Sequence, residues 1–566
     1  MPEKMTLRDW LGIILLTLVC GVISFARLGD LRAPQTSWTP EPNERALIDF
    51  GGLTEITGIQ YRMGARHDRG FTVDHSVDGV AWETLHTVSG ANVFYWTHVP
   101  VNVTTRYVAV TAVGWDLRLQ EIAFRGVDGE LLTGFFTSPN AYALTDEQRL
   151  VPERRSYMNS TYFDEIYHPR TGYEFAHGLA VYETTHPPLG KVFIAASVRV
   201  FGMTPFGWRF PGTLFGVLMV PLMYAFARIL FRSNRWALFA AFIFSFDFMR
   251  FAQTRLATID TYVTFFVIAM YYFMYLYVRE VDGYIDDRKG REAVFLKRSL
   301  LYLALCGVMM GLAIASKWQG VYGAIGLPVL FFPALYRLFR TERKYKHRKT
   351  TITFLACFGF FVAVPLVIYT LSYIPFILAQ GSGLRAAWDN QMHMYRYHDE
   401  LVAKHAFASD WWSWPIMLRP MWLYVNRISP AVNAGITSFG NPAVWWFGIA
   451  ATIAAITAVI RNKGFTKSSS RYVPVFLLVA FAAQYLPWMM VDRLTFIYHF
   501  FPSVPFVVLL ITWFFRRYVK KPAIMYAYAG VVFALFALFY PVLSGLPMDV
   551  AFVRNWLVWL PGWVFM

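Results

Sequence analysis

Long apolar runs fill the chain from about residue 209 onward, and one more lies near the amino terminus. A helix needs about 20 residues to cross the roughly 30 Å hydrocarbon layer of a bilayer. The runs predict eleven transmembrane helices, at 10–28, 209–231, 236–252, 257–278, 299–316, 319–337, 351–374, 442–460, 473–490, 499–515 and 523–545. This is the pattern of a polytopic α-helical membrane protein.

The apolar stretch 188–203 is excluded from that count. It carries Lys191 and Arg199 in a run of only about 16 residues, which favours a helix lying in the membrane interface. Leaving it out also places the Lys- and Arg-rich loops between the later spans on one side, as the positive-inside rule requires. Residues 29–208 and 375–441 then form two large outer loops.

Residues 36–130 follow a different pattern, in which Val, Ile, Tyr and Phe alternate with polar residues in short runs separated by Gly, Asp and Asn. Alternation with period two, interrupted about every ten residues, is typical of antiparallel β strands. We therefore expect an all-β domain outside the membrane.

Two segments of this region, SVDGVAW at 76–82 and LRLQEIAF at 117–124, resemble those of discoidin-like (coagulation factor 5/8 C-type) jelly rolls. Many members of that family bind glycans, so the resemblance implies a glycan ligand as one option. Four aromatic residues could stack on a sugar ring, although a core position is the alternative for each: Trp38, Tyr95, Trp96 and Trp115.

Composition agrees with a membrane protein. Of 566 residues, 56% are hydrophobic and 16% charged, with a net charge of +16, whereas charged residues make up about 25% of soluble domains. This excludes a soluble enzyme, a disordered chain and a nucleic-acid partner of the usual kind. The three cysteines, Cys20, Cys306 and Cys357, lie in apolar runs and predict neither disulfides nor a cysteine metal site.

Candidate chemistry begins in the loop 159–191, where the adjacent carboxylates Asp164 and Glu165 follow aromatic residues. Adjacent side chains point in different directions on a helix or a strand. One carboxylate can therefore act as a base while the other holds structure or substrate. The same loop supplies His168, His186 and Lys191.

Further charges occur where the predicted spans reach the outer face. Each of them could simply extend toward water. Their convergence on one leaflet instead suits an anionic lipid headgroup. These residues, with their neighbours, are Arg209, Arg255, Asp260, Lys317, Trp318, Arg493 and His499.

Seven segments resemble, in the same order, the protein O-mannosyltransferase family of GT-C glycosyltransferases. They are FDEIYH, THPPLGK, WRFPGTLFG, RLATIDT, ASKWQG, DWWSWPIMLRPMWLY and RLTFIYHFFP. The resemblance implies an enzyme that takes a hexose, typically mannose, from a polyprenyl-phosphate lipid to a Ser or Thr hydroxyl of a protein or peptide outside the membrane.

The resemblance also implies roles for single residues. Asp164 is the expected general base, with Glu165 beside it, and Arg209 and Lys317 are the expected phosphate ligands. Lys191 and Arg255 complete the expected donor-phosphate set. The residues expected to position substrate are His168, His186, Asp260, Trp318, Trp414, Arg493 and His499.

The second outer loop is too short for the MIR-repeat domain of eukaryotic members, and the β domain is not a general family feature. Both departures favour a bacterial member in the cytoplasmic (inner) membrane, with its active site on the extracytoplasmic face. The Trp-rich segment 411–422 is expected to close over that site, with a membrane anchor as the alternative.

A lipid phosphate is a good leaving group, so one carboxylate suffices and direct attack predicts inversion at the sugar carbon. No cofactor is required in this interpretation. A divalent metal held by Asp164, Glu165, His168 and His186 is the alternative, but no compact motif such as HExxH is present.

Other functions stay open at this stage. The acceptor could be a glycolipid or a cell-envelope polymer, and a lipid or sugar transporter is the alternative from another class. Transporters usually contain repeated halves, and no internal repeat is found here. A receptor built around the β domain would need only one span.

The expected organisation has six parts. They are a first span (1–29), the β domain (30–135), a catalytic outer loop with interfacial helices (136–208), a transmembrane core (209–374), the second outer loop (375–441) and a carboxy-terminal transmembrane region (442–566).

Overall fold

The computed structural model of the chain describes residues 5–66, 68–90, 92–286, 292–341, 347–381, 383–461 and 469–565. It contains two compact units. The larger unit comprises Met1–Ala26, Glu183–Phe193 and Pro211–Met566, and the smaller unit comprises Arg27–Tyr182 and Ile194–Phe210.

The described helices are α1 (Leu7–Phe25), α2 (His168–His177), α3 (Leu189–Phe201), α4 (Pro205–Phe231), α5 (Asn234–Ser245), α6 (Phe248–Thr254), α7 (Asp260–Asp286), α8 (Glu292–Ser316), α9 (Gly320–Thr341), α10 (Arg348–Phe358), α11 (Val364–Ser372), α12 (Ile374–Gln380), α13 (Gly383–Glu400), α14 (Pro442–Arg461), α15 (Ser469–Tyr485), α16 (Val504–Tyr518), α17 (Pro522–Ser544) and α18 (Val550–Phe552). The strands are β1 (Arg45–Met63), β2 (Gly70–Ser76), β3 (Glu83–Val88), β4 (Trp96–Val113), β5 (Leu119–Arg125), β6 (Phe136–Thr137), β7 (Met421–Arg427), β8 (Val432–Ser438) and β9 (Pro547–Asp549).

Within the described part of the chain, ten helices are long and apolar enough to cross a membrane, and each coincides with a predicted span. The polytopic helical class is thereby confirmed. The helix α3, of 13 residues, is not among the ten, in agreement with the exclusion of 188–203.

The span predicted at 236–252 is wrong as a single helix, because α5 and α6 meet at Asp247. The Asp247 side chain accepts a hydrogen bond from the backbone N–H of Arg250 at 3.1 Å and so caps α6. Its second oxygen accepts from the indole N–H of Trp445 at 3.0 Å. Periodicity alone could not show that this buried carboxylate begins a new helix.

The helical segment 348–372 contains one π-helical stretch, Gly359–Ala363, between α10 and α11. It packs on α8 at Gly307 and Gly311, where a Cβ would collide with the carbonyl oxygen of Phe360 and the Cα of Pro365, respectively. Small residues four apart let two membrane helices approach closely. Single π turns occur frequently at functional sites, and this one forms part of a pocket wall.

The smaller unit contains an antiparallel sheet with the strand order β3-β2-β4-β1-β5, and β6 pairs with β1. The long strands β1 and β4 pair through two irregularities, between Asp49 and Thr54 and between Ile56 and Gly58. Alternate apolar side chains of these strands form one buried core. The predicted strands are therefore present, in a compact unit that also contains α2, while the resemblance to discoidin-like jelly rolls stays a prediction.

The turn between β2 and β3 has the form that its sequence predicts. The Asp78 carboxylate accepts hydrogen bonds from the backbone N–H groups of Val80 and Ala81 at 2.8 and 3.0 Å. Gly79, between Asp78 and Val80, has a φ of +81°, a conformation that glycine adopts without steric cost.

The second outer loop contains more regular structure than a Trp-rich loop suggests. It includes α12, α13 and the hairpin of β7 and β8, to which β9 near the carboxy terminus adds a third strand. The 18-residue helix α13 has one side buried at Asn390 and Met394. That side faces the pocket described below.

Candidate active site

The acidic pair lies in the smaller unit, in a single 3₁₀ turn, Phe163–Ile166. Glu165 is fully buried, whereas Asp164 is half-buried. Phe163, just before the pair, has a φ of +51°, which is a strained value for a residue with a Cβ. Such strain concentrates at functional sites, and here it separates two adjacent carboxylates into different environments.

The Arg209 guanidinium is buried against Glu165. Its Nε and Nη2 donate to the two carboxylate oxygens of Glu165, at 2.7 Å each. Its remaining N–H groups donate to the backbone carbonyls of Leu28, Tyr157 and Ser160 at 2.9, 2.6 and 3.1 Å. All five N–H donors of the guanidinium therefore have partners inside the protein.

This geometry does not fit the expected role of Arg209 as a phosphate ligand, because no N–H group is left to donate to a phosphate. Glu165 is equally committed, since its carboxylate also accepts from the backbone N–H of Tyr162 at 3.3 Å. The pair acts as a structural clamp that fixes the 3₁₀ turn. Asp164 lies in the same turn, next to the clamp.

An ion pair and a cation–π contact hold the residues that follow the acidic pair. In α2, Arg170 donates to the Glu174 carboxylate at 2.9 Å, and the guanidinium lies 3.7 Å above the ring of Tyr182. Burial raises the pKa of Glu174 despite this cation. His168, expected to position substrate, is buried at the first residue of α2.

A pocket of about 720 Å³ lies in the larger unit. Its polar and aromatic lining residues are His186, Lys317, Trp318, Gln319, Tyr322, Tyr369, Gln391, His398, Trp488 and Arg493. Its apolar lining residues are Pro187, Ile314, Val321, Phe361, Val362, Pro365, Leu366 and Val491. Phe361 and Val362 belong to the π-helical stretch.

Two cations line this pocket, and they differ in their ion-pair partners. The Lys317 ammonium donates to the Asp260 carboxylate at 2.7 Å, and both residues are buried. For Arg493, by contrast, no ion pair is present among the described residues, and its side chain is half-buried. Arg493 therefore offers a guanidinium fork that can bind two phosphate oxygens.

Two histidines lie beside these cations, with ring centres 5.4 Å apart. His186 Nδ1 is 3.1 Å from the Glu183 carboxylate, and His398 Nε2 is 2.9 Å from the carbonyl oxygen of Thr185. Burial lowers the pKa of His186 and lowers that of His398 to about 4. Two neutral imidazoles, each able to donate and accept hydrogen bonds, therefore face the pocket.

Two other expected phosphate ligands are engaged away from the pocket. The Lys191 ammonium donates to the Glu183 carboxylate and to the carbonyl oxygens of Glu183 and His186. Arg255 donates to the carbonyl oxygen of Ala26 at the end of α1, at 2.8 Å. Both expectations are corrected, because these cations stabilise chain segments and do not line the pocket.

Trp414 is also corrected, since its side chain is fully buried and does not form a lid. Its indole N–H donates to the Ser409 carbonyl at 3.0 Å, and its ring packs 5.5 Å from that of Trp488. His499 is buried behind the same wall, 4.4 Å from Trp488. Trp318 does line the pocket, and it donates to the hydroxyl of Tyr369 at 3.0 Å.

Sequence reasoning missed Gln391 and His398, which α13 contributes to the pocket wall. Residues seven apart lie on one helix face after two turns. Asn390 on the same side donates to the Thr184 carbonyl at 2.8 Å. The available signal was the seven-residue spacing of Gln391 and His398, which brings both side chains to one side of α13.

Within the described ranges, one group of three acidic side chains brings ligand atoms within 4.8 Å of one another, namely Glu121, Asp146 and Glu147. It lies in the smaller unit and shares no residue with the expected metal set. Burial raises the pKa of Glu121 to about 9, and Gln148 donates to it at 2.5 Å. Burial therefore outweighs the hydrogen bonds donated by Gln148 and by the backbone N–H of Glu147, both of which favour the charged carboxylate.

Comparison with known proteins gives the family. Residues 201–377 match the model of the dolichyl-phosphate-mannose-protein mannosyltransferase family, and residues 384–563 match the C-terminal four-transmembrane region of protein-O-mannosyltransferase. A polyprenol-phosphate-mannose–protein mannosyltransferase of Mycobacterium tuberculosis is 27% identical over 475 residues, covering 74% of this chain and 86% of the relative. The Mycolicibacterium smegmatis enzyme of the same name is 27% identical over 71% of this chain and 87% of its own.

The fold agrees with these matches. The Saccharomyces cerevisiae protein O-mannosyltransferase Pmt1-Pmt2 complex bound to the sugar donor aligns with a TM-score of 0.61, at 14% identity, over 71% of this chain and 89% of that one. The family matches and the fold together define the class, a polytopic membrane glycosyltransferase of the GT-C type. The two family models together match more than half of the chain. The chain belongs to the protein O-mannosyltransferase family.

Proposed function

We propose that the chain transfers mannose from a polyprenyl-phosphate lipid to Ser or Thr hydroxyls of proteins. The names of the mycobacterial relatives support both the donor and the acceptor class. The observation that carries the proposal is the composition of the pocket, where two cations and two imidazoles share one cavity with a largely apolar wall. This combination matches a lipid with an anionic phosphate and a sugar.

The donor phosphate would be bound by Arg493 and Lys317. Arg493 supplies a bidentate fork, and Lys317 supplies an ammonium that Asp260 holds in place. As the bond between the anomeric carbon and the phosphate oxygen breaks, negative charge grows on the phosphate. Positive groups fixed in advance stabilise that charge without reorganising.

The imidazoles of His186 and His398 would bind sugar hydroxyls. A neutral imidazole has one donor and one acceptor nitrogen, which suits a group of hydroxyls better than a second charge does. Glu183 and the carbonyl of Thr185 fix the two rings. The isoprenoid chain would lie against apolar residues such as Phe361 and Leu366.

Asp164 would act as the general base. The acceptor oxygen attacks the anomeric carbon, its proton passes to the Asp164 carboxylate, and the electrons of the broken bond leave with the phosphate. Because phosphate leaves as an anion, no general acid and no cofactor is needed, and one displacement inverts the carbon. The clamp between Glu165 and Arg209 holds the turn that carries Asp164.

We also propose that the reaction takes place on the extracytoplasmic side of a bacterial cytoplasmic membrane. The two large loops carry Asp164 and α13, and topology from the Lys and Arg distribution puts both loops outside. A glycolipid or an envelope polymer as acceptor would require the same donor chemistry. The experiment therefore distinguishes a protein acceptor from a lipid acceptor.

The test uses the detergent-purified full chain, a polyprenyl-phosphate-mannose donor and a Thr-containing peptide. We expect mannosyl-peptide and polyprenyl phosphate in equal amounts, and Asp164→Asn should lower turnover by about 10²–10⁴-fold. Donor affinity should stay within about twofold in that variant. An Asn variant that keeps a tenth or more of the activity would exclude Asp164 as the base, and a product only with lipid acceptors would reject protein as the substrate.

A further inference from the structure

A groove of about 650 Å³ lies in the smaller unit, at one end of the β sheet. The end of β1, the start of β4 and the segments after β1 and β3 form its walls. The side chains that line it include Tyr61, Asp68, Ser89, Asn92, Tyr95 and Thr97. It is therefore rich in neutral hydrogen-bonding groups and contains two aromatic rings.

This groove is joined to the segment that leads to the acidic pair. The backbone N–H of Thr161 donates to the carbonyl of Phe94 at 3.2 Å, and the Thr161 hydroxyl donates to the carbonyl of Val93 at 3.1 Å. The N–H of Trp96 donates to the Ser160 hydroxyl at 3.1 Å. Residues on both sides of Tyr95 thus hold the residues just before Asp164.

These bonds limit the distance between the groove and Asp164. Asp164 lies three positions after Thr161, and Tyr95 directly follows Phe94. With 3.8 Å between consecutive Cα atoms and about 5 Å across a hydrogen-bonded pair, Tyr95 and Asp164 are at most about 20 Å apart. An extended peptide covers that distance with about six residues.

We propose that this groove binds the acceptor polypeptide, a few residues away from the Ser or Thr that receives the sugar. The inference rests on the proposed function, which makes a polypeptide hydroxyl the partner of Asp164. Neutral side chains such as Ser89, Asn92 and Thr97 can bind the N–H and C=O groups of a peptide backbone without reading its sequence. The groove would then select extended, unfolded segments.

A glycan is the rival ligand, and the geometry favours it less. The guanidinium of Arg155 lies 4.5 Å above the ring of Tyr95 and covers one of its faces. The ring of Tyr61 is 4% exposed and belongs to the core of the sheet. Sugar rings bind by stacking on open aromatic faces, whereas peptide binding needs mainly the hydrogen-bonding groups that are present.

The experiment compares the full chain with Tyr95→Ala and with Asn92→Ala/Tyr95→Ala, using two Thr peptides of about five and about sixteen residues. For the long peptide we expect KM to rise about fivefold or more, equal to about 1 kcal/mol of lost contact, with kcat unchanged. For the short peptide both constants should match wild type. Tyr142→Ala is the matched control, because Tyr142 is 67% exposed and does not line the groove.

Fluorescence polarisation of the labelled long peptide, measured without donor, gives a second readout that does not depend on turnover. If the wild type transfers no mannose to either peptide, the proposed function fails, and polarisation still decides whether the groove binds peptide. Equal KM values for all variants would overturn the groove proposal. Equal losses on both peptides would show that the loop merely supports the acidic-pair segment, and loss of oligosaccharide binding alone would assign the groove to a glycan.

Discussion

Replacing Arg209 by Met tests whether the clamp is structural. The change leaves the Glu165 carboxylate buried without its cation, which costs about 3–5 kcal/mol for a buried pair that loses one partner. The carbonyls of Leu28, Tyr157 and Ser160 also lose their donors, at about 1 kcal/mol each. The total approaches the 5–15 kcal/mol that stabilises a whole domain, so the smaller unit should unfold or fail to accumulate.

The assay is thermal unfolding in detergent, with limited proteolysis to locate the opened segment. Arg199→Met is the control, because Arg199 lies in the same unit, is exposed and makes one hydrogen bond, to the Ala176 carbonyl; it should change stability by less than about 0.5 kcal/mol. Arg209→Met/Glu165→Met should recover part of the loss, since no charge is then left unpaired. An Arg209→Met protein with wild-type unfolding temperature and lost donor binding would refute the reasoning and restore Arg209 as a phosphate ligand.

Three further predictions concern the pocket and its wall. Arg493→Gln should weaken binding of polyprenyl phosphate about tenfold at unchanged stability, while Lys317→Gln should also lower stability because Asp260 loses its cation; titration calorimetry and unfolding separate the two. The pKa of His398 is lowered from 6.5 to about 4, so between these pH values the unfolded chain binds a proton that the native chain does not. The stability contribution should therefore be complete above about pH 6.5 and fall toward pH 4. A His398→Gln variant with the same dependence of stability on pH as the wild type would contradict this. Trp414→Ala should cost about 3–5 kcal/mol as a core truncation, and changed acceptor kinetics at wild-type stability would instead support a lid.

The helices followed from sequence because the length and polarity of a membrane span are set by the bilayer. The one exception shows the limit of that argument. In 236–252 the apolar pattern continues across Asp247, and only the partners of its carboxylate, Arg250 and Trp445, explain why one helix ends there. Arg250 is a local partner, three residues along the chain, whereas Trp445 comes from tertiary structure, which no local pattern contains.

The candidate site could be predicted by residue type and less well by role. The role of Asp164 stays a prediction, and the structure places the expected residues Lys317 and Arg493 on the wall of one pocket. Sequence could not distinguish the four expected phosphate ligands, Arg209, Lys317, Lys191 and Arg255. An arginine or lysine side chain can bind phosphate, carbonyl or carboxylate equally well. For Arg209 the deciding partners are three backbone carbonyls from residues 28, 157 and 160, and a carbonyl leaves no mark in a sequence.

For the β domain, too, the strands could be predicted from the sequence but their connection to the acidic pair could not. Alternation predicted its strands, but it gave no reason to join 30–135 to the loop that carries the acidic pair. The structure places both in one compact unit, through contacts such as Thr161 with Phe94. Deleting residues 36–130 would therefore remove the support of the acidic-pair segment together with the strands.

The Arg209 clamp has a consequence for the order of biosynthesis. Its carbonyl and carboxylate acceptors lie at residues 28, 157, 160 and 165, and all of them leave the ribosome before the arginine does. Until residue 209 has been translated, the Glu165 carboxylate has no guanidinium to bind, and the turn that carries Asp164 cannot reach its final state. A secreted fragment that stops at residue 182 would lack that arginine permanently. Its sheet would form, but the turn that carries the acidic pair would not reach its native conformation.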